Sequence, residues 1–313
     1  MQSAHSSFFG MNTVISHTVY GGKAKKAAAA AQGEARRLEG LFSRFIPGSD
    51  IARLNRSSGG GNVKLSPETC EVLSIGLNCS RDTDGCFDIT AGPLVRLWKG
   101  GAAPSEMEIA AARELTGFST LSLDRSGRMA SLAKAGQCVD LGGIGKGYAA
   151  DRMLSVFRKH RVTSAFADFG GNVAVLGAKP DGTPWKIGIR HPQQKNALVG
   201  VLAVTDQSAV TSGDDQRAVR GADGKLRSHI INPRTGMPAQ SDLLSVTVVS
   251  PSSTVADALA TALFIAGIDD GLRFLGGYPG TEALFIDREL SVFLTHGLTG
   301  GFRAAEGIKT YLV

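Results

Sequence analysis

Gln137-Cys138-Val139-Asp140-Leu141-Gly142-Gly143-Ile144-Gly145-Lys146-Gly147-Tyr148-Ala149-Ala150-Asp151 reads as an apolar strand that ends in an acid, crosses a glycine-dense turn and enters a helix. Glycines at 142, 143, 145 and 147 can take φ > 0 and let a ligand approach the backbone. The helix start offers unpaired N–H donors and Lys146 adds a positive charge, a combination suited to a pyrophosphate. Asp140 can accept from a ribose or nucleobase, or help to hold a cation. Of two familiar phosphate loops, the Walker A pattern fails and the dinucleotide pattern matches weakly. In a Walker A reading Asp140 occupies the first glycine position and Gly147 follows Gly145-Lys146 where Ser or Thr belongs. In a dinucleotide reading the last glycine falls on Tyr148 or Ala150. Taken alone, the stretch is equally a glycine-rich connection with no ligand.

A chain of 313 residues is long enough for one large domain or two closely joined lobes with a sizeable core. Its 42% hydrophobic and 20% charged residues are those of an ordinary globular protein, but 40 glycines exceed average usage and signal many tight turns or close backbone approaches. The net charge of +6 suits an anionic ligand, yet the basic residues are scattered. The one notable run, Lys23, Lys25, Lys26, Arg36 and Arg37, falls on an expected helix whose face would be solvated. Aromatics make up only 6%, too few for base stacking, so nucleic acid is not an expected partner. Cys70, Cys79, Cys86 and Cys138 have neither Cys-x-x-Cys nor zinc spacing and are expected to be buried thiols outside any disulfide framework. No run approaches the ~20 apolar residues of a membrane span, no signal-peptide core is visible, and residues 1–9 read as a short leader onto the first strand.

Along the chain, Leu38, Leu41, Phe42 and Phe45 share one face of a helix expected over 24–45, closed by Ile46-Pro47-Gly48. A second turn of helix follows at 50–55. Ser66-Pro67 is an N-cap with proline at the first helical position, and Ser105 with Glu108 forms a capping box. Residues 120–124 and 129–133 flank Arg125-Ser126-Gly127-Arg128 as a hairpin. Strands are expected at 164–168, 172–176, 185–190, 199–205, 245–250, 283–286 and 291–295, with helices at 146–160 and 254–267. Neighbouring hairpins interleaved with packed helices argue for an α+β fold with mixed or antiparallel sheets.

Polar, glycine-rich loops recur where bland ones would serve: Gly85-Cys86-Phe87-Asp88-Ile89-Thr90, Asp168-Phe169-Gly170-Gly171-Asn172, Thr211-Ser212-Gly213-Asp214 and His229-Ile230-Ile231-Asn232-Pro233-Arg234-Thr235-Gly236. Asp257 and Thr261 stand four apart on one helix face, so a carboxylate and a hydroxyl can converge on a hard cation such as Mg²⁺. The same pair also fits an acid near a helix N-terminus beside an unremarkable threonine. A histidine such as His229, before an apolar pair, is commonly a hydrogen-bonded structural residue.

In this order these segments, with Met11-Asn12-Thr13, Phe42-Ser43-Arg44-Phe45, Gly92-Pro93-Leu94 and Asp257-Ala258-Leu259-Ala260-Thr261, resemble the ApbE family of FAD:protein FMN transferases over nearly the whole chain. The resemblance implies a single domain over 1–313, or two tightly joined lobes, with a T-fold-like core and a smaller lobe. It implies Mg²⁺-dependent transfer of the FMN moiety of FAD to a Thr or Ser hydroxyl, releasing AMP. Asp257, Thr261 and the backbone at Gly143 would hold the metal. Met11, Phe45, Cys86, Phe87, Asp88, Asp140, Lys146 and Ile231 would contact FAD. His229 would act as the base or orient the acceptor hydroxyl, and with Asp257 would make up the catalytic pair. The implied partner is a redox or respiratory protein carrying a motif like Asp-x-x-Ser/Thr-Gly-Ala-Ser/Thr, which this chain lacks. The family is typically exported, which implies the periplasm or cell envelope; no lipid-attachment cysteine stands near the start, and this leaves the cytoplasm open. Asn12 stands where the family usually has glycine, and Phe45 where an aromatic with a polar end is frequent. Two rivals remain: FAD hydrolysis to FMN and AMP, and a non-catalytic FAD-binding protein, against which Asp257 and Thr261 speak.

Overall fold

The structure is a computed structural model that describes residues 2–99, 103–213, 219–220 and 226–313. The hairpin β1 (Ser3–Gly10) and β2 (Thr13–Tyr20) leads into α1 (Ala24–Phe42) and α2 (Asp50–Arg56). A smaller group follows: β3 (Val63–Lys64), α3 (Pro67–Asp82), α4 (Gly92–Trp98), α5 (Glu106–Glu114), β4 (Leu121–Asp124) and β5 (Met129–Leu132). Then come α6 (Gly145–Lys159), β6 (Ser164–Phe169), β7 (Asn172–Leu176), β8 (Trp185–Arg190), β9 (Leu198–Val204) and β10 (Ser208–Gly213). After the short β11 (Val219–Arg220) and β12 (Leu226–Arg227) the chain continues through β13 (Leu243–Ser250), α7 (Ser253–Leu275) and β14 (Glu282–Asp287). It closes with β15 (Val292–Leu294), β16 (Phe302–Ala304) and β17 (Thr310–Leu312).

The expected α+β architecture is borne out. Nine strands form one sheet in the order β1-β2-β6-β7-β10-β13-β14-β15-β17. Neighbours pair antiparallel except β15 with β17, which run parallel. One face carries α1, α6 and α7. The other carries the three-stranded sheet β16-β9-β8. Every residue of β7 and β13 is buried, because both faces of these central strands are covered. The two-residue period sorts them: Ala174, Val246, Val248 and Phe285 point into the helical core, while Val173, Val175, Leu284 and Ile286 point into the core between the sheets.

Local signals place most elements. Ser66 caps α3, with Pro67 in its first turn, and Ser105 and Glu108 close a reciprocal capping box on α5. α7 is broken at Gly267, whose φ of 82° lies outside helical space, at the position where the sequence signals its end. The expected solvated face of α1 is present, with Lys25, Lys26, Arg36 and Arg37 exposed. All four cysteines are buried and unpaired. No helix among the described residues is long and apolar enough to cross a membrane.

Three expectations are corrected. From Ser3 the stretch read as a leader is the edge strand β1, paired along its whole length with β2, while Met1 lies outside the described residues. Its alternation of exposed and half-buried residues, with serines and a histidine among them, hides a strand covered on one face. The expected strand ending at Asp140 shrinks to one bridge, Cys138 with Ala91. There the side-chain amide of Asn55 replaces a neighbouring strand: it accepts from Val139 N at 2.7 Å and donates to Val139 O at 3.0 Å. Finally, Thr211-Ser212-Gly213 is the end of β10, not a loop; Asp214 lies outside the described residues.

Candidate active site

Two hairpin turns stand side by side at one end of the sheet. Met11 and Asn12 both have positive φ, 51° and 60°, as a two-residue hairpin loop of type I′ demands, so asparagine is an acceptable replacement for glycine there. Gly170 and Gly171 do the same between β6 and β7, with φ of 67° and 96°. A Cβ on Gly170 would fall 2.0 Å from Thr13 Oγ1, so the turns can touch only with glycine at that position.

Between these turns, the N-terminal end of α6 and the first turns of α7 lies a cavity of about 370 Å³. Cys86, Phe87, Asp88 and Ile231 form part of its wall, and Asp140, Gly143 and Lys146 another part. His229, Asp257 and Thr261 complete the set. A second cavity of about 230 Å³ shares Asn12, Lys99, Asp140, Gly142 and Lys146 with the first and is lined by Met11 and Phe45. All the site residues expected from the sequence therefore line one of two adjoining spaces. Phe45 is 76% exposed at the outer one, with the Arg44 guanidinium 4.8 Å from its ring centroid.

The α6–α7 crossing is set by one missing side chain. A Cβ on Gly147 would lie 2.2 Å from the Ser253 carbonyl oxygen and 2.8 Å from Asp257 Cβ. Gly147 thus serves close approach, and none of the glycines of the 142–147 turn has the positive φ that the sequence reading allowed them. Nor are the helix-start donors free as expected. Ile144 and Gly145 donate to the Leu141 carbonyl, Gly142 to Asp140 Oδ1, and Gly147 to Asp257 Oδ2 at 2.9 Å.

Asp257 is buried and is the centre of the inner corner. Lys146 Nζ reaches its Oδ1 at 3.2 Å and Oδ2 at 3.4 Å, and the Gly142 carbonyl at 3.3 Å. Thr261 Oγ1 lies 3.4 Å from Ser212 Oγ and donates to the Asp257 carbonyl one turn back at 3.5 Å. A side chain on Gly143 would approach Thr261 Oγ1 to 3.5 Å, so its backbone belongs to the same corner. The donors are all hard oxygens: one carboxylate, hydroxyls and carbonyls. No cluster of three His, Cys, Asp or Glu exists among the described residues. That set fits Mg²⁺, which takes one or two carboxylates and completes its octahedron with water and phosphate oxygens. The Lys146 ammonium already shows that a cation is at home among these oxygens.

Other acids are committed elsewhere. Asp88 accepts from Thr90 N, Thr90 Oγ1 and Phe118 N, and burial pushes its carboxyl above the usual range against those bonds. It shapes the wall rather than offering a free carboxylate. Asp140 Oδ2 faces Arg44 Nη1 at 3.4 Å. Cys86 Sγ lies 3.7 Å from Arg234 Nη1, and burial raises its thiol. Residues the sequence reading left unassigned also line the cavity: Asn172 and Ser212, both inside quoted glycine-rich segments, and Lys99, which carried no signal.

Comparison with known proteins points one way. The family model described as "ApbE family" matches residues 11–285. The chain is 33% identical over 265 residues to the FAD:protein FMN transferase of Klebsiella pneumoniae, covering 83% of this chain and 82% of that one. To the FAD:protein FMN transferase of Treponema pallidum it is 35% identical over 279 residues, covering 82% and 76%. Among solved structures, the ApbE protein of Thermotoga maritima superposes with a TM-score of 0.84 at 28% identity over 97% of both chains. The Pseudomonas stutzeri flavinyl transferase ApbE gives 0.82 at 28% identity over 96% and 98%.

Proposed function

The chain belongs to the ApbE family, and on that premise we propose that it is an FAD:protein FMN transferase, moving the FMN part of FAD onto a Ser or Thr hydroxyl of another protein. The observation that carries this reading is one continuous wall that brings His229, Lys146 and the Asp257–Thr261 corner around a single space. Relatives at 33% and 35% identity that bear the name of this activity support it.

The acceptor hydroxyl oxygen forms a bond to the FMN phosphorus, the phosphoanhydride bond breaks, and AMP leaves with the electron pair. His229 takes the hydroxyl proton, the general-base role that an imidazole fills in many enzymes. Lys146 meets the negative charge that grows on the phosphate oxygens. Asp257, Thr261 and the Gly143 backbone would hold Mg²⁺, which supplies Lewis-acid stabilisation of the leaving phosphate when bound. Asp140, Cys86, Phe87, Asp88 and Ile231 shape the space for FAD, with Met11 and Phe45 at its outer part. The acceptor we propose carries a motif like Asp-x-x-Ser/Thr-Gly-Ala-Ser/Thr. The location we propose, the periplasm or cell envelope, rests on the family resemblance alone and is checked by fractionation of the producing cell.

The test is the intact mass of such an acceptor after incubation with the protein, FAD and Mg²⁺. A gain of one FMN residue is expected, with AMP in equal amount. FMN and AMP free in solution, with no gain in acceptor mass, would replace transfer by hydrolysis; unaltered FAD would leave a binding protein.

A further inference from the structure

We propose that Asp151 is a positioning residue for the cation corner: it fixes the register of α7 against α6 and thereby sets where Asp257 and Thr261 stand. The inference rests on the reading of that pair as metal-holding. Asp151 lies one helical turn beyond Gly147 on α6, and Ser253, Asp257 and Thr261 succeed one another at four-residue intervals on α7. The two ladders face each other. At the lower rung the Asp151 carboxylate accepts four hydrogen bonds from the start of α7. Oδ1 takes Ser253 N at 2.8 Å; Oδ2 takes Ser252 Oγ at 3.0 Å, Thr254 N at 2.9 Å and Thr254 Oγ1 at 2.6 Å. At the upper rung Gly147 N donates to Asp257 Oδ2 at 2.9 Å. Between them the helices approach so closely that no Cβ fits on Gly147.

A helix N-terminus has orphan N–H groups that a side chain of its own cap commonly satisfies. Ser252 does so here, accepting from Val255 N at 3.3 Å. The carboxylate from α6 adds a second, interhelical cap that also complements the positive end of the helix. Because a helix is stiff over two turns, a clamp at its first residues fixes the direction of side chains four and eight residues on. The Ser253 hydroxyl extends the clamp to the sheet by donating to Asn172 Oδ1 at 2.7 Å. Residues that orient metal ligands without touching the metal contribute about 10–100-fold to affinity.

The experiment titrates Mn²⁺, which shares the oxygen preference of Mg²⁺, into the FAD-loaded protein without acceptor and reads free Mn²⁺ by electron paramagnetic resonance. Asp151→Ala should raise the half-saturating Mn²⁺ about tenfold. Thr254→Val, which keeps the backbone bonds and removes one hydroxyl, should raise it about threefold and decides the matter if Asp151→Ala does not fold. In the Asp151→Ala background Thr254→Val should add nothing. Val292→Ala, a cavity in β15 far from the corner, should lower the melting temperature and leave Mn²⁺ binding unaltered. Unaltered half-saturation in Asp151→Ala and Thr254→Val, while Asp257→Ala abolishes binding, overturns the clamp and keeps the metal reading. An equal shift in Val292→Ala also overturns it. Wild-type Mn²⁺ binding in Asp257→Ala overturns the metal reading and the clamp together.

Discussion

Lys146 Nζ lies within 3.4 Å of both carboxylate oxygens of Asp257, tying the first turn of α6 to the second turn of α7. A buried carboxylate gains most of its tolerance of burial from such a partner, and the partner depends on it in return. Replacing Asp257 with alanine removes the carboxylate of the cation corner and leaves Lys146 with the Gly142 carbonyl alone. Flavin transfer should fall at least about a hundredfold, a loss the scale of Lewis-acid stabilisation accounts for. Flavin fluorescence of the acceptor band on a gel measures it.

His229→Ala should slow transfer by about 10²-fold or more, the usual contribution of a positioned general base, while FAD binding measured by fluorescence quenching stays close to wild type. A variant with the wild-type rate would strip His229 of that role.

Gly147→Ala forces a methyl group against the Ser253 carbonyl. Overpacking at a rigid helix crossing should cost about 3 kcal/mol, visible as a lower urea midpoint with an unaltered slope. The same substitution should raise the Mg²⁺ concentration needed for half-maximal transfer, because α7 must move away from α6.

His17 on β2 is buried between Phe8 and Phe157, with ring centroids 6.3 and 5.8 Å away. Burial first, and then His5 nearby, lowers its pKa from 6.5 to about 4. The unfolded chain therefore takes up this proton at higher pH than the folded one. Its contribution to stability is intact above pH 6.5, declines as pH falls toward 4, and levels off below, a total of about 3 kcal/mol. Denaturant midpoints between pH 7 and 4 should show this decline, and His17→Leu should flatten that part of the curve.

Asn12→Gly should leave stability within about 0.5 kcal/mol, whereas Asn12→Val places a branched side chain at positive φ and should cost about 1–2 kcal/mol. Thermal melts of the two variants separate the outcomes.

Much of this was legible before any coordinates, for physical reasons particular to each residue. Ser66-Pro67 and Ser105 with Glu108 announce helices because capping is a contact across three residues. The cavity wall was legible as a set of polar, glycine-rich segments whose purpose appears only jointly. β1 was hidden because an edge strand with one open face carries serines and a histidine without penalty. The strand expected to end at Asp140 failed because Asn55, far away in the chain, supplies the hydrogen bonds that a strand would have supplied. Asp151 gave no signal for the same reason: its partners lie about a hundred positions on, and an acid inside a helix looks like any solvated residue.

The two adjoining cavities take their walls from Met11 at one extreme and Thr261 at the other, with contributions from six stretches between. No contiguous piece of the chain contains a usable fraction of them. On the function proposed above, FAD would recognise only the assembled molecule, and by mass action its binding would oppose unfolding of every part at once. Occupancy by substrate should raise the single melting transition in proportion to the logarithm of FAD concentration, and a chain cut anywhere between β2 and α7 should forfeit recognition in both fragments. Resistance to protease should rise with FAD concentration in the same way, because the open chain that a protease cleaves becomes rarer as substrate occupies the folded one.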